Sequence, residues 1–535
     1  MLSRIPFGMV RQLARLHFAT FIGLLCCIAC PVLAETITRG PYLQRGSPTS
    51  VVVRWRTDVP VESILEYGVS TNELSGRVRS RERRTDHEAT LVGLTPHTKY
   101  YYRIKGAEGI LAGGDEGHSF VSSPIAGDES FKIWVVGDSG SSGYLESGED
   151  SGQAAVRDAF LAQHPAGSVP LFLMLGDNAY ITGTDSEYQQ GVFNVYQRVM
   201  RASVTWPTQG NHDLAGNAYY SVFTLPTKAE SGGLSTGTEQ YYSFDYAHVH
   251  CISLNSEAAT SSLRSSMLLW LKEDLASHNK EWTIAFWHHP PYTKGSHDSD
   301  DNHDSEGRMA WMRETVLPLL ESYGVDLVLS GHSHSYERSK FIDGHYGASP
   351  TFTAANVKDP GDGREGGQGA YTKHAVGSIP RSGAVFAVAG SSGKVSNGPL
   401  NHPAMVVSLK RLGSMVLDVN GNEMSAQMIG AKGEIEDSFV IRKDPKRPRI
   451  VNGVVVTQEG AGSARLVSWE GVPHTTSYHV YRSSVSYKRG EDIARIAGGV
   501  LTYRDTSARP GSTYYYSLRA ENEAGKGPWS VAVEK

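Results

Sequence analysis

The sequence predicts a multidomain chain in which an α/β layered domain lies between two all-β sandwiches. Three observations predict it. The 535 residues are too many for one compact core and favour two to four domains. Residues 36–122 and 449–535 alternate short strand-like runs with turn residues. Between them, from 130 to 442, apolar runs alternate with helix-like stretches, the pattern of strands buried on both faces.

The first 34 residues stand apart. Arg4, Arg11 and Arg15 precede the apolar run Phe18–Cys30, and Val32-Leu33-Ala34 offers small or aliphatic residues where a signal peptidase reads. A secretory leader cleaved after Ala34 is expected, which places the chain outside the cell or in a periplasm. Its apolar core falls short of the roughly 20 residues of a membrane span, so an uncleaved anchor is the lesser alternative. Cys30 after Ile28-Ala29 also resembles a lipoprotein acceptor, although Cys27 stands where an aliphatic residue belongs. Cys26, Cys27 and Cys30 all fall in the leader, which leaves Cys251 alone and excludes an intramolecular disulfide after processing. Loss of the leader's three arginines takes the formal charge from −5 to about −8. No basic block or stripe points to nucleic acid.

In the first β region, the runs Ser50–Trp55, Ser63–Tyr67, Ala89–Val92, Tyr100–Ile104 and His118–Phe120 are spaced as in a small sandwich over residues 35–125. In the α/β domain, 130–442, strands are expected at Phe131–Val136, Val169–Leu175, Trp282–Trp287 and Val325–Leu329. Helices are expected at Ala154–Gln163, Glu187–Met200, Ser266–Ala276 and Met309–Tyr323. The link Arg442–Pro448 is polar and proline-bearing, a boundary before the last domain at 449–535. The stretch Leu94–Arg103 resembles the tyrosine-rich corner of fibronectin type III domains. A similar pattern returns at Pro510–Leu518, with Trp469 and Tyr478 to Tyr481 upstream.

In open α/β sheets, ligands bind just beyond the carboxyl ends of the strands. Val136-Gly137-Asp138 ends the first strand, and Leu175-Gly176-Asp177-Asn178-Ala179-Tyr180 the second. Gly210-Asn211-His212-Asp213 follows Val204–Thr208, Trp287-His288-His289-Pro290 ends the fourth strand, and Gly331-His332-Ser333-His334 the fifth. Any one of these, taken alone, is a turn or a helix cap. Five strand ends in order, each delivering a carboxylate, amide or imidazole, point to metal. Without thiolate, this donor set favours Fe, Zn or Mn. Six or seven ligands exceed one tetrahedral ion, so two ions bridged by a carboxylate are expected, a pairing suited to in-line displacement at phosphorus by a metal-generated hydroxide.

Gly-Asp, Gly-Asp-x-x-Tyr, Gly-Asn-His-Asp, a His before Pro, and Gly-His-x-His, in this order, resemble the motif set of the purple acid phosphatases within the calcineurin-like metallophosphoesterases. The start Gly40-Pro41-Tyr42-Leu43-Gln44 and the sandwich after it also resemble that family, so the likeness covers residues 36–440. It implies an α/β/β/α-type metallophosphoesterase domain preceded by a fibronectin type III-like sandwich; with the tyrosine pattern at 510–518, the domain is expected to be flanked by two such sandwiches. It implies an acid phosphatase acting on small phosphorylated substrates, with Fe(III) and a divalent Zn, Fe or Mn as cofactors. By position, Asp138, Asp177, Tyr180 and His334 match the ligands of the ferric ion. Asp177, Asn211, His288 and His332 match those of the divalent ion, with Asp177 as the bridge. His288 is preferred to His289 because the family places one residue between ligand and proline. His289 would instead orient a ligand or phosphate. Relatives outside the purple branch carry a histidine where this chain has Gly140, and this chain supplies Tyr180 instead. His212, beside Asn211, is expected to bind the phosphate and steady the transition state. His303 best matches the family's proton donor, with His297 as runner-up.

The loop Ser296–Asp304 has the alternating acids of a calcium site, but His303 stands at the required glycine and Met309 at the closing glutamate. A negatively charged rim is the stronger expectation. The glycine-rich insertion 343–380 reads equally as a lid or a surface loop. Arg338 and Lys340 read as solvent-facing charges, with attraction of an anionic leaving group as the alternative. A phosphodiesterase or nucleotide hydrolase on the same scaffold, and an adhesion protein with an inert centre, are the competing functions. The C-terminal sandwich would serve as a spacer or contact a polymer or surface.

Overall fold

A computed structural model describes residues 35–107, 109–125, 130–141, 152–165, 169–374, 382–444, 447–458, 464–485 and 490–535. The expected leader lies outside the described residues, as do parts of the 442–448 link and of the 343–380 insertion.

The N-terminal sandwich is built on one long hairpin. Ser50–Trp55 and Ser63–Tyr67, expected as two strands, are joined in a single strand Ser50–Gly68 paired with Gly76–Val92. The register shifts between Arg56 and Ser63, around Pro60, where an amide-less residue fits a bulge. The first half of the strand pairs with Ile37–Gln44 and the second half with Lys99–Lys105, so the bend carries the chain from one layer to the other. Val53, Trp55, Leu65, Leu91, Tyr102 and Ile104 fill the space between. The tyrosine corner is present: Thr95 N–H donates to Tyr100 Oη at 2.9 Å.

Two sheets face each other in the α/β domain. In the first, Phe131–Val136, Leu171–Met174 and Val204–Pro207 run parallel, and Gly413–Asn420 pairs antiparallel with the outer side of Phe131–Val136. In the second, Val249–Ser253, Trp282–Trp287, Leu327–Ser330 and Val385–Ala389 run parallel. Side chains alternate across each strand. Ile284 and Phe286 join the core between the sheets, while Ala285 and Trp287 join the core under the helices Ser261–Ser277 and Leu317–Ser322. The fold is thus helix, sheet, sheet, helix. Trp206 and Phe244, one from each sheet, stack at 3.8 Å.

Two expected helices are interrupted by wide π turns. Between Asp185 and Met200 the turn Gln189–Phe193 intervenes; a Cβ on Gly191 would stand 2.7 Å from the Gly140 carbonyl, and the bulge accommodates that approach. Between Arg308 and Ser322 the turn Met312–Val316 precedes Pro318, whose missing N–H breaks the ladder.

The C-terminal domain is a second sandwich. Val455–Gln458, Arg465–Ser468 and Thr502–Asp505 form one sheet; Glu491–Ala497, Ser477–Ser483, Tyr515–Asn522 and Gly525–Lys526 the other. This strand arrangement is that of a fibronectin type III-like module. Trp469, Tyr478, Val480, Tyr516 and Leu518 form its core.

Candidate dinuclear metal centre

The carboxyl ends of strands from both sheets converge. Asp138, Asp177 and His332 occupy left-handed backbone conformations, with φ of 52°, 49° and 68°. Such conformations are costly for residues with a Cβ and persist where the surrounding structure enforces them. Gly176 makes the turn possible: at φ 88°, a Cβ there would sit 2.6 Å from His288 Nδ1. Behind the turn, buried Asp213 accepts from the N–H groups of Asn178, Ala179 and Gly210 and from Tyr188 Oη. Burial and the neighbouring Asp177 push its pKa up to about 7. This carboxylate fastens the Asp177–Tyr180 loop to the Asn211 loop.

Asp177 divides the cluster. Its Oδ2 lies 3.0 Å from Tyr180 Oη, which is also 3.3 Å from Asp138 Oδ1 and 3.2 Å from His334 Nε2. Its Oδ1 lies 3.3 Å from His288 Nε2, which is 3.1 Å from Asn211 Oδ1 and 3.2 Å from His332 Nδ1. All seven residues expected as ligands are therefore brought together, in two sets sharing Asp177. Asp177, His288 and His332 offer three ligand atoms within 4.8 Å of one another.

The donor chemistry fits metal. Each imidazole has one nitrogen occupied from behind and the other turned inward. His288 Nδ1 meets the Leu175 carbonyl at 2.9 Å, His334 Nδ1 meets Ser396 Oγ at 3.2 Å, and His332 Nε2 meets Ser305 Oγ at 2.6 Å. Such outer contacts fix tautomer and ring orientation in metal sites. Burial, and then the charges of Asp177 and Asp138, hold the Tyr180 phenol well above its ordinary pKa. Burial would lower the His288 pKa, but Asp177 and Asp138 raise it to about 10. A bound cation would relieve this buried negative charge and reverse both tendencies.

His289 is fully buried and turned aside, its Nδ1 2.9 Å from Ser256 Oγ and 3.1 Å from Glu257 Oε1. His212 is partly exposed, with Nδ1 donating to the Ile181 carbonyl at 2.6 Å and Nε2 3.9 Å from Asp177 Oδ2. His303 does not reach the cluster: its side chain is 91% exposed and its ring nitrogen is 3.9 Å from Asp301. His297 is the histidine of that loop which does, stacked on His332 at 3.8 Å. Arg338 departs from both of its readings, because it is buried and paired with Asp437 at 2.6 Å. Lys340 donates to the Pro403 carbonyl at 3.1 Å. In the acidic loop, Asp298 and Asp300 pair with Lys294, and Asp304 with His297. The described part of the insertion packs on the same buried ion pair, Arg364 reaching Asp437 at 2.8 Å.

Several contributors carry little sequence signal. Ser396 is one, although the run Gly390-Ser391-Ser392-Gly393 after Val385–Ala389 marks a sixth strand end pointing the same way. Ser305 and Glu257 sit among ordinary loop residues.

Residues 131–336 match the calcineurin-like phosphoesterase family, and residues 39–124 match the purple acid phosphatase N-terminal domain. Purple acid phosphatase 15 of Arabidopsis thaliana is 30% identical over 48% of this chain and 50% of its own length. Purple acid phosphatase 18 of the same plant is 30% identical over 54% of this chain and 64% of its own. The chain thus spans from half to less than two thirds of the length of these relatives. The structure of purple acid phosphatase PPD1 from yellow lupin seeds superposes with a TM-score of 0.58 at 16% identity, covering 76% of this chain and 75% of that one. The protein carries a purple acid phosphatase N-terminal domain followed by a calcineurin-like phosphoesterase domain, and its central fold is the metallophosphoesterase fold.

Proposed function

We propose that the protein is an exported acid phosphatase that hydrolyses small phosphomonoesters at a dinuclear centre of Fe(III) and a divalent Zn, Fe or Mn ion. The observation that carries this is Asp177, whose two oxygens face two separate ligand groups. In this reading Asp138, Asp177, Tyr180 and His334 hold the ferric ion, and Asp177, Asn211, His288 and His332 the divalent one. Bound there, the ions would supply Lewis acidity and positive charge for in-line displacement at phosphorus.

The chain's own groups do the rest. His212, anchored through Nδ1 to the Ile181 carbonyl, keeps Nε2 free to hydrogen-bond a phosphate oxygen. Asn211 adds a donor on the same loop. The proton for the departing alcohol comes from His297 rather than His303, because only His297 stands beside the ligand residues. Export rests on the leader-like residues 1–34, and no helix among the described residues is long and apolar enough to cross a membrane. Division into domains at 35–125, 130–442 and 449–535 belongs to the same reading.

Metal analysis with a visible spectrum tests it. Wild-type protein should hold two metals, show a tyrosinate-to-iron band that Tyr180→Phe removes, and cleave a phosphomonoester faster than a diester. Asp177→Asn protein that still folds should lose metal and activity together. Near-normal turnover and metal content in that variant would overturn the proposal, and preference for the diester would move the function to a phosphodiesterase.

A further inference from the structure

The loop after Trp282–Trp287 contains an uncommon backbone. Ser305, Glu306 and Gly307 are left-handed in succession, with φ of 53°, 54° and 72°. Two consecutive residues with side chains in this region need something to hold them there. Ser305 shows what is held: its Oγ lies 2.6 Å from His332 Nε2 and donates to Asp304 Oδ1 at 2.7 Å. The same Asp304 oxygen lies 2.8 Å from His297 Nδ1, while Oδ2 accepts from the Asp298 N–H at 2.8 Å. From outside, Arg308 donates to the Ser305 carbonyl at 3.1 Å and is braced by buried Glu257 at 3.2 Å.

One assignment of protons satisfies every bond. His332 Nδ1 faces His288 and Asp177, so Nε2 carries the hydrogen and donates to Ser305 Oγ. The serine hydroxyl then donates to Asp304, and so does His297 Nδ1–H. His297 Nε2 is left without a partner among the described residues, on a side chain that is 32% exposed. The chain His332–Ser305–Asp304–His297 therefore ties a ligand residue to a free imidazole nitrogen through four side chains with no gap.

We propose that Ser305 and Asp304 are positioning residues that lock His332 and His297 into one unit, so that protonation of the departing alcohol depends on Asp304. This rests on the phosphatase reading and goes beyond it in assigning the relay. In the step, water is the co-reactant. The water oxygen bonds to phosphorus and releases a proton to solvent, the P–O bond to the alcohol breaks with its electron pair staying on the leaving oxygen, and that oxygen takes the proton carried on His297 Nε2. His297 is left neutral with Nδ1–H still on Asp304.

The dependence on leaving group reads this directly. An alkyl phosphate has a basic leaving oxygen that needs the proton, whereas 2,4-dinitrophenyl phosphate does not. In the metal-loaded full chain, Asp304→Asn should lower kcat for the alkyl ester by ~10²-fold or more while changing the dinitrophenyl ester by no more than a few-fold. His297→Ala should show the same selectivity, and the double variant no further loss. Ser305→Ala removes a single hydroxyl and covers the case in which Asp304→Asn does not fold. It should reproduce the selectivity in weaker form and lower affinity for the divalent metal by ~10–100-fold. Equal losses on both esters, or no loss, would overturn the relay while leaving the phosphatase reading intact. A wild-type protein that cleaves neither ester would overturn the phosphatase reading and the relay with it.

Discussion

The N-terminal sandwich meets the α/β core through the backbone, whereas the C-terminal one meets it through side chains. Strand Ile37–Gln44 pairs with Val204–Pro207 at Leu43 and Val204, which makes the sandwich and the first core sheet continuous. Buried Arg39 reaches Asp185 at 2.9 Å and Gln189 at 2.7 Å; Tyr42 Oη donates to the Val222 carbonyl, and Tyr102 Oη to that of Arg201, both at 2.6 Å. Every one of those partners lies on a segment following Tyr180 or flanking Asn211. At the other end, the Asn279 amide, with its oxygen turned outward, meets Arg519 at 2.8 Å and Trp529 at 3.2 Å, and Arg447 of the preceding link pairs with Glu281 at 3.2 Å. A cavity of about 590 Å³ remains beside these contacts. The difference teaches which sandwich the site depends on. One braces the loops that carry the candidate ligand residues, and the other is docked on the core at the edge of its second sheet.

Truncation is the largest test of that contrast. Removing residues 449–535 should leave a soluble, metal-binding, active protein, because among the described residues no loop carrying a candidate ligand loses a hydrogen-bond partner. Removing residues 35–125 should leave none, since Val204–Pro207 would present an unpaired edge and the Asp185 helix would lose Arg39. Measured by soluble yield, metal content and turnover, equal behaviour of the two truncations would break the comparison.

The two contacts should also fail at opposite ends of the pH scale. On the C-terminal side, His250 lies buried in the strand next to the sheet edge, with Asp245 of the edge strand and Asp274 each at 2.8 Å, and Asp245 lines the cavity. Burial opposes its charge, but the two carboxylates outweigh it and raise its pKa from 6.5 to about 9. That rise corresponds to ~3 kcal/mol of stability. It is fully present below pH 6.5 and is lost as pH climbs through 9. On the N-terminal side, burial opposes the Asp185 charge, but bonds from Arg56 and Arg39 lower its pKa to about 2. Its contribution is present above the ordinary carboxylate value and is lost as pH falls towards 2. Hydrogen exchange should therefore show the floor of the C-terminal dock loosening first in alkali and the Asp185 helix loosening first in strong acid. The same region loosening first at both ends would count against the contrast.

The parts legible in the sequence were those with two-sided burial. A parallel strand covered on both faces reads as an unbroken apolar run, and Trp282–Trp287 is buried throughout. The convergence of the seven candidate ligands was legible for the same reason, since strand ends mark where side chains from neighbouring strands meet. Joining Ser50–Trp55 to Ser63–Tyr67 was not legible, because Pro60 reads as a break and only tertiary pairing turns it into a bulge. His297 and His303 are equally polar loop histidines in sequence. What separates them is the left-handed turn at 305–307 and the Asp304 carboxylate that captures His297, neither of which has a periodicity to read.

The smallest effect probes the same contrast within matched residues. Tyr100 Oη takes the Thr95 N–H in the first sandwich, and Tyr478 Oη takes the Val472 N–H at 2.7 Å in the second. Replacing either tyrosine by phenylalanine leaves one backbone donor without its partner, a loss of ~1 kcal/mol in each. The size of the loss is the same, so the readout is where it appears. Tyr100→Phe should lower the thermal transition in which metal is released, because the first sandwich shares a sheet with the core. Tyr478→Phe should lower only a transition of the second sandwich and leave metal release and turnover unchanged. If both variants shift metal release alike, the side-chain dock couples as tightly as the shared sheet, and backbone continuity is not what makes the first sandwich part of the site.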